Sequence, residues 1–218
     1  MIIEARNIRK AYDNLQVLKG IDLSVKQGEI VSVVGASGAG KSTLLHILGT
    51  LDSADQGTLK IQDTPVESLS SRKLAAFRNK HIGFVFQFHH LLPEFNALEN
   101  IMMPALIGGV ASDKAGERAK KLLGMLGLES RGGHRPAELS GGEQQRIAVA
   151  RALVNEPAVV FADEPSGNLD SANALTLHNL FFELRDRLNQ TFIIATHNDQ
   201  LADKSDRKLT MVDGMITG

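Results

Sequence analysis

The sequence predicts an α/β fold organised on a mostly parallel sheet. Compact apolar runs rich in β-branched residues, at 30–34, 82–86, 159–162 and 192–196, alternate with segments of helical character at 41–48, 70–79, 143–155 and 172–188. The runs are apolar at successive positions, the pattern of strands covered on both faces. A glycine-rich loop, 35–40, joins the first run to the first helix. In open parallel sheets, ligands bind beyond the carboxyl ends of the strands. Polar residues that directly follow the runs are therefore the candidates for chemistry.

Each element has a local reason. Upstream of the first run, 2–6, 17–18 and 21–25 read as short strands of an N-terminal antiparallel β subdomain, with a turn at Gly28. Gly49 closes the helix 41–48. Segment 57–61 reads as an edge strand or hairpin arm. From 87 to 156 the pattern turns helical. Ala115, Ala119, Leu122, Leu123 and Leu126 fall on one helical face, Gly127 ends that run, and Pro157 stops the helix 143–155. The stretch of about 88–156 reads as a helical subdomain inserted into a single domain spanning 1–218. At the end, 209–212 and 215–217 flank Asp213-Gly214 as a hairpin.

Composition narrows the function. The chain has 218 residues, a length that suits one domain and buries roughly 70% of the unfolded surface without covalent staples. Cys is 0, which excludes disulfide frameworks, thiolate metal sites and cysteine nucleophiles. The net charge of −1 leaves no basic footprint for nucleic acid, so no nucleic-acid partner is expected. The most apolar stretch, 99–113, is shorter than the ~20 residues a membrane span needs and is interrupted by Pro104, Gly108 and Gly109. The N-terminus lacks the basic start and apolar run of a signal peptide. Contact with a membrane is thus expected only through a partner.

Gly35-Ala36-Ser37-Gly38-Ala39-Gly40-Lys41-Ser42 matches GxxxxGK(S/T) in the context that gives the motif its meaning, after a strand and opening a helix. Glycines allow backbone N–H groups to converge on phosphate oxygens, and the helix N-terminus adds a favourable dipole. Lys41 is expected to reach the β- and γ-phosphates, and Ser42 to ligate Mg²⁺. The strand 159–162 ends in Asp163 and Glu164. Successive strand residues face opposite ways, so the two carboxylates divide the work: Asp163 on the metal, Glu164 as general base toward the attacking water. Gln87 and His197 also sit at strand ends. Gln87 can offer its carbonyl to Mg²⁺ or to the water. His197 can bond the γ-phosphate or orient the water.

Leu139-Ser140-Gly141-Gly142-Glu143 makes a second glycine-rich helix N-terminus. One loop already cradles one triphosphate, so the economical reading is that Ser140, Gly141, Gly142 and Glu143 meet the phosphate held by a second copy. Two chains paired head to tail would then enclose two nucleotides. An ordinary N-cap explains Ser140 but not the glycine pair. Tyr12, the sole tyrosine, either stacks on adenine or packs on the sheet.

Taken together, these residues resemble the ATP-binding cassette (ABC) ATPases, over essentially the whole chain. The resemblance implies a RecA-like P-loop NTPase core with Walker A at 35–42 and Thr43 beside it, a Q-loop at Gln87, the signature at 139–143, Walker B at 159–163 and an H-switch at His197. It implies a D-loop at 166–170, an adenine-stacking role for Tyr12, ATP and Mg²⁺ as ligands, and a homodimer.

The stretch 86–100, His134-Arg135-Pro136 and the 166–170 loop are similar to the ATPase subunits of lipoprotein-releasing (LolCDE-type) transporters. That implies a peripheral position on the cytoplasmic face of a bacterial inner membrane, under LolC/LolE-like permease chains. FtsE-like regulatory ATPases and MacB-type exporters are the alternatives. The latter usually carry a fused membrane domain, which this sequence does not contain. Phe88, Leu91, Leu92, Phe95 and Leu98 form an apolar cluster where a partner's helix could dock, with about half of them expected in the insertion's own core.

Overall fold

The computed structural model describes residues 1–217. Strands β1 (Ile3–Tyr12) and β2 (Leu15–Val25) form a long antiparallel hairpin. The sequence reads these as three short pieces because bulges break the period-2 pattern. Asn7 at φ 48° and Gly20 at φ 103° absorb the irregularities, and pairing continues past them. Strand β3 (Ile30–Val34) and helix α1 (Lys41–Leu48) fall where predicted. Strands β4 (Gln56–Ile61) and β5 (Thr64–Pro65) complete a four-stranded sheet in the order β2-β1-β4-β5. The arm β4 is therefore interior, paired with β1 on one side and β5 on the other.

Helix α2 (Ser71–His81) leads into β6 (Ile82–Phe86). Three helices follow: α3 (Ala97–Ile107), α4 (Ser112–Met125) and α5 (Gly141–Leu153). Then come β7 (Val159–Asp163), α6 (Ser171–Leu188), β8 (Thr191–Ala195), α7 (Asp199–Lys204), β9 (Arg207–Val212) and β10 (Met215–Ile216). The second sheet runs β10-β9-β3-β8-β7-β6, parallel throughout except for the antiparallel edge β10. No helix among the described residues is long and apolar enough to cross a membrane.

Alternation along the parallel strands splits the core. Val31, Val33, Phe161, Ile193 and Ala195 pack with Leu44, Leu45 and Leu48 of α1 and with the antiparallel sheet. Val160, Ala162, Phe192 and Ile194 face the other way, onto Ile147 of α5 and Phe181 and Leu184 of α6. That second core is continuous with Ile101 of α3 and Leu123 of α4, so the inserted helices share the sheet's interior.

Helix α5 lies close to β6. A Cβ on Gly83 would stand 2.5 Å from the Ala152 carbonyl oxygen, a backbone atom that cannot turn aside. Gly83→Val is expected to cost about 2–3 kcal/mol through overpacking. The measurement is the urea midpoint, which should fall with an unchanged m-value.

Candidate active site

The parallel strands bring the loops at 35–40, 87, 164 and 196–197 to one edge of the sheet. In the first of these, Gly40 is the N-cap of α1 in the left-handed region, φ 102°, and no side chain caps that helix. Its first N–H groups, which lack intrahelical partners by geometry, are left for a ligand. A Cβ on Gly35 would stand 2.2 Å from the Met211 carbonyl oxygen, so the loop can lie this close to β9 only as glycine. Lys41 is buried and folds across the loop, donating from Nζ to the Gly35 and Ala36 carbonyl oxygens at 2.8 and 3.1 Å. Ser37, Gly38 and Ala39 complete the turn, with Ala39 N donating to Ala36 O.

Ser42 Oγ donates to Asp163 Oδ1 at 3.0 Å, which joins the start of α1 to the end of β7. The next residue, Glu164, is held at φ 46°, a strained conformation for a side-chain-bearing residue. His197 donates to Glu164 Oε2 from Nδ1 at 2.8 Å and from its backbone N–H at 3.3 Å. Gln87 is drawn elsewhere. Its Nε2 donates to Asn168 Oδ1, and Asn168 Nδ2 donates to the Gln87 carbonyl, each at 3.2 Å. Three pairs therefore form at this edge: Ser42 with Asp163, Glu164 with His197, and Gln87 with the 166–170 loop. That loop is braced by α6, where buried His178 bonds Ser166 Oγ at 2.9 Å through Nε2. Burial, with Lys204 nearby, lowers the His178 pKa.

Tyr12 stands at the end of β1 with 45% of its surface exposed, so the sheet does not bury its ring. Its hydroxyl donates to Asp52 Oδ2 at 2.6 Å, and Thr43 of α1 lies beside the same hydroxyl. Lys10 Nζ sits 5.1 Å from the ring centroid.

Ser140–Glu143 makes no hydrogen bond to the phosphate loop among the described residues. Helix α5 begins at Gly141, two residues before the predicted start, because Ser140 and Glu143 form a capping box that makes the glycines its first helical residues. Gly142 has a packing reason within the chain, since a Cβ there would stand 2.3 Å from Asn173 Oδ1 of α6. Both Glu143 carboxylate oxygens are engaged. Oε2 accepts from Ser140 N at 2.8 Å and Ser140 Oγ at 2.9 Å, and Oε1 accepts from Arg131 Nε at 2.7 Å. The Ser140 backbone bond first, then Arg131, hold its pKa at about 2.

Helix α5 is also tied to the chain after Gln87. Buried Gln145 donates from Nε2 to the Phe86 carbonyl at 3.0 Å and accepts from His89 Nδ1, and Arg151 donates to the carbonyls of His89 and His90. Within the apolar cluster, Leu91 and Leu98 pack on the core, while Phe88, Leu92 and Phe95 are exposed. The sequence reading missed Asp52, Arg131 and His178, because each acts through a partner 12 or more residues away, and Asn173, which meets Gly142 across the α5–α6 contact.

A model of the ABC transporter family matches residues 18–167. The chain belongs to the ABC transporter family. It is an ATP-binding ATPase of the cassette type. Among its relatives, the lipoprotein-releasing system ATP-binding protein LolD of Cytophaga hutchinsonii is 61% identical over 99% of this chain and 98% of its own length. The protein of the same name from Bacteroides thetaiotaomicron is 60% identical over 99% of each chain. Among solved structures, the cassette MJ0796, a dimer in a post-hydrolysis state bound to ADP and Pi, has a TM-score of 0.90 at 35% identity, over 99% of this chain and 97% of that one. The cassette cbiO1 of Clostridium perfringens has a TM-score of 0.91 at 27% identity, over 100% and 87%.

The cassette has one tyrosine and no tryptophan, so near-ultraviolet absorbance at high pH reports Tyr12 alone. The Asp52 hydrogen bond, then burial, raises the phenol's pKa above 10.0. Spectrophotometric titration should give a midpoint above 10.0, and Asp52→Asn should bring it down.

Proposed function

We propose that this chain drives the release of lipoproteins from a bacterial inner membrane, as the ATPase subunit beneath a pair of LolC/LolE-like permease chains. It would lie peripherally on the cytoplasmic face. The observation that carries the reading is 60–61% identity, over nearly the full length, to proteins named for that system. Exposed Phe88, Leu92 and Phe95, next to Gln87 and anchored to α5, offer a partner a direct mechanical connection to the site. On this reading 1–218 is one cassette domain with a helical subdomain at about 88–156. Two copies pair head to tail over two ATP molecules.

The roles follow from the geometry. The N–H groups of 35–43 that remain open and the Lys41 ammonium hold the phosphates, Ala39 N being engaged by Ala36 O, and Tyr12 stacks on adenine. Ser42, Asp163 and Gln87 supply hard oxygen donors suited to Mg²⁺, and the Ser42–Asp163 contact puts two of them side by side. When bound, that ion would neutralise charge on the phosphates. Glu164 accepts the proton of the attacking water while the water oxygen bonds to the γ-phosphorus and ADP leaves with the bridging oxygen. His197 orients Glu164, and Gln87 links this step to the partner-facing segment. Ser140, Gly141, Gly142 and Glu143 of the second copy close over the γ-phosphate.

Glu164→Gln is expected to reduce ATP hydrolysis by ~10² or more while ATP binding persists. Purified from detergent-solubilised membranes of its host with ATP, this variant should bring down two permease chains and bound lipoprotein. Recovery of a permease joined to cell-wall enzymes, or of no membrane protein, would overturn the lipoprotein reading. Separately, ATP should change the tyrosine emission of the intact chain. An unchanged spectrum at saturating ATP would remove Tyr12 from the adenine site.

A further inference from the structure

Glu143 poses an electrostatic conflict. Its carboxylate sits at the third residue of α5, at the end where the helix dipole and free N–H groups favour an incoming anion. With a pKa of about 2 it stays charged throughout the physiological range. A fixed negative charge there repels a phosphate. The side chain nearest to balancing it is Arg131, whose Nε meets Oε1 at 2.7 Å.

Arg131 is well placed to hold that position. It ends the short 3₁₀ turn Glu129–Arg131 that follows α4. Its N–H donates to the Leu128 carbonyl at 2.9 Å, and its carbonyl accepts from His134 N at 3.0 Å. The chain just beyond is fastened to the start of α3, where Leu98 N donates to Gly132 O and Ala97 N to His134 O. The guanidinium thus comes from a fixed backbone. Oε1 is drawn toward it while Oε2 is drawn to Ser140, so the carboxylate turns back along its own helix.

We infer that Arg131 is a positioning residue for ATP-driven pairing: it neutralises and orients Glu143 so that the start of α5 can accept the γ-phosphate of a nucleotide held by a second copy. The inference rests on the head-to-tail pairing proposed above and adds a residue that the pairing alone does not require. The Arg131 side chain meets Glu143 and is not among the residues assigned to the nucleotide or the metal. Its removal leaves the phosphate loop untouched, so each separate chain should bind ATP as before.

The test is ATP-dependent dimerisation of the full chain in a Glu164→Gln background, followed by light scattering against ATP concentration. Arg131→Met should require about tenfold more ATP for half-dimerisation, the effect of leaving a charged partner uncompensated. Arg131→Lys should stay within about threefold of the parent, because a point charge can still neutralise the carboxylate. With Glu143→Gln also present, Arg131→Met should shift the midpoint less than about twofold, because no charge remains to neutralise. Raising salt should shrink the Arg131→Met defect by screening.

The outcomes separate cleanly. If the Glu164→Gln parent does not dimerise with ATP, the pairing itself fails and the inference falls with it. If the parent dimerises and Arg131→Met matches it, the inference alone is wrong. If Arg131→Met is impaired equally with and without Glu143→Gln, Arg131 serves only local structure, and the charge-based role is overturned.

Discussion

Five strands that run in one direction force the loops leaving their carboxyl ends onto one edge of the sheet. The site depends on this constraint. Ser42, Gln87, Glu164 and His197 are far apart in sequence, and each follows a strand or the loop that a strand feeds. Their shared edge is fixed before any side chain makes a contact. What the side chains then add is pairing: Ser42 with Asp163, Glu164 with His197, and Gln87 with Asn168. Burial on both faces holds the strands rigid, because alternate residues of β7 and β8 belong to two separate cores. The site therefore sits at the ends of strands that are packed on both faces.

The inserted helices are coupled to that edge through polar contacts, one of them from buried Gln145. Gln145 reaches from α5 to the Phe86 carbonyl, one residue before Gln87, and Arg151 holds the two carbonyls that follow Phe88. Buried polar groups of this kind are costly to leave unpaired. A displacement of α5 relative to β6 must then carry the chain around Gln87 with it or break these bonds. The exposed aromatics Phe88 and Phe95 lie in the same segment, so a partner docked there, as proposed, would act on the chain next to Gln87. In the other direction, His178 fixes the 166–170 loop from α6, so the loop answers to two elements at once.

Legibility in the sequence followed locality. Helix α1 was readable to the residue, because an apolar run, a glycine loop and Gly49 bound it within a short span. The terminal hairpin was readable from Asp213-Gly214, which adopt φ 47° and 77° as such a turn demands. The N-terminal hairpin was read in fragments because bulges shift the alternation. The helical character of the inserted stretch was legible, but α3 was not singled out within it. Yet Asn96 and Glu99 form a capping box that announces its start, and the helix continues through Pro104 to a cap at Gly108. The polar residues at strand ends were legible because sheet polarity predicts where chemistry gathers. Their partners were not: Gln87 and Asn168 are 81 residues apart, and only the folded chain brings them together.

The two helix N-termini assigned to phosphate are built in opposite ways. That of α1 carries no side-chain cap, and its N-cap is a glycine in the left-handed region. Its N–H groups have no competing partner, so it is suited to holding a nucleotide on the separate chain. That of α5 is already satisfied in part. Ser140 Oγ accepts from Glu143 N at 3.3 Å, and Glu143 returns bonds to Ser140. A free anion meeting α5 must compete with this cap and with a carboxylate balanced by Arg131. The gain from the remaining N–H groups is small for a phosphate arriving alone. It becomes sufficient when the phosphate comes fixed on another surface, because the entropy of bringing the anion there is shared with the contact of two chains. In the proposed pairing, a bare terminus for retention and a self-capped terminus for closure would make nucleotide binding and pairing separable steps within one small chain.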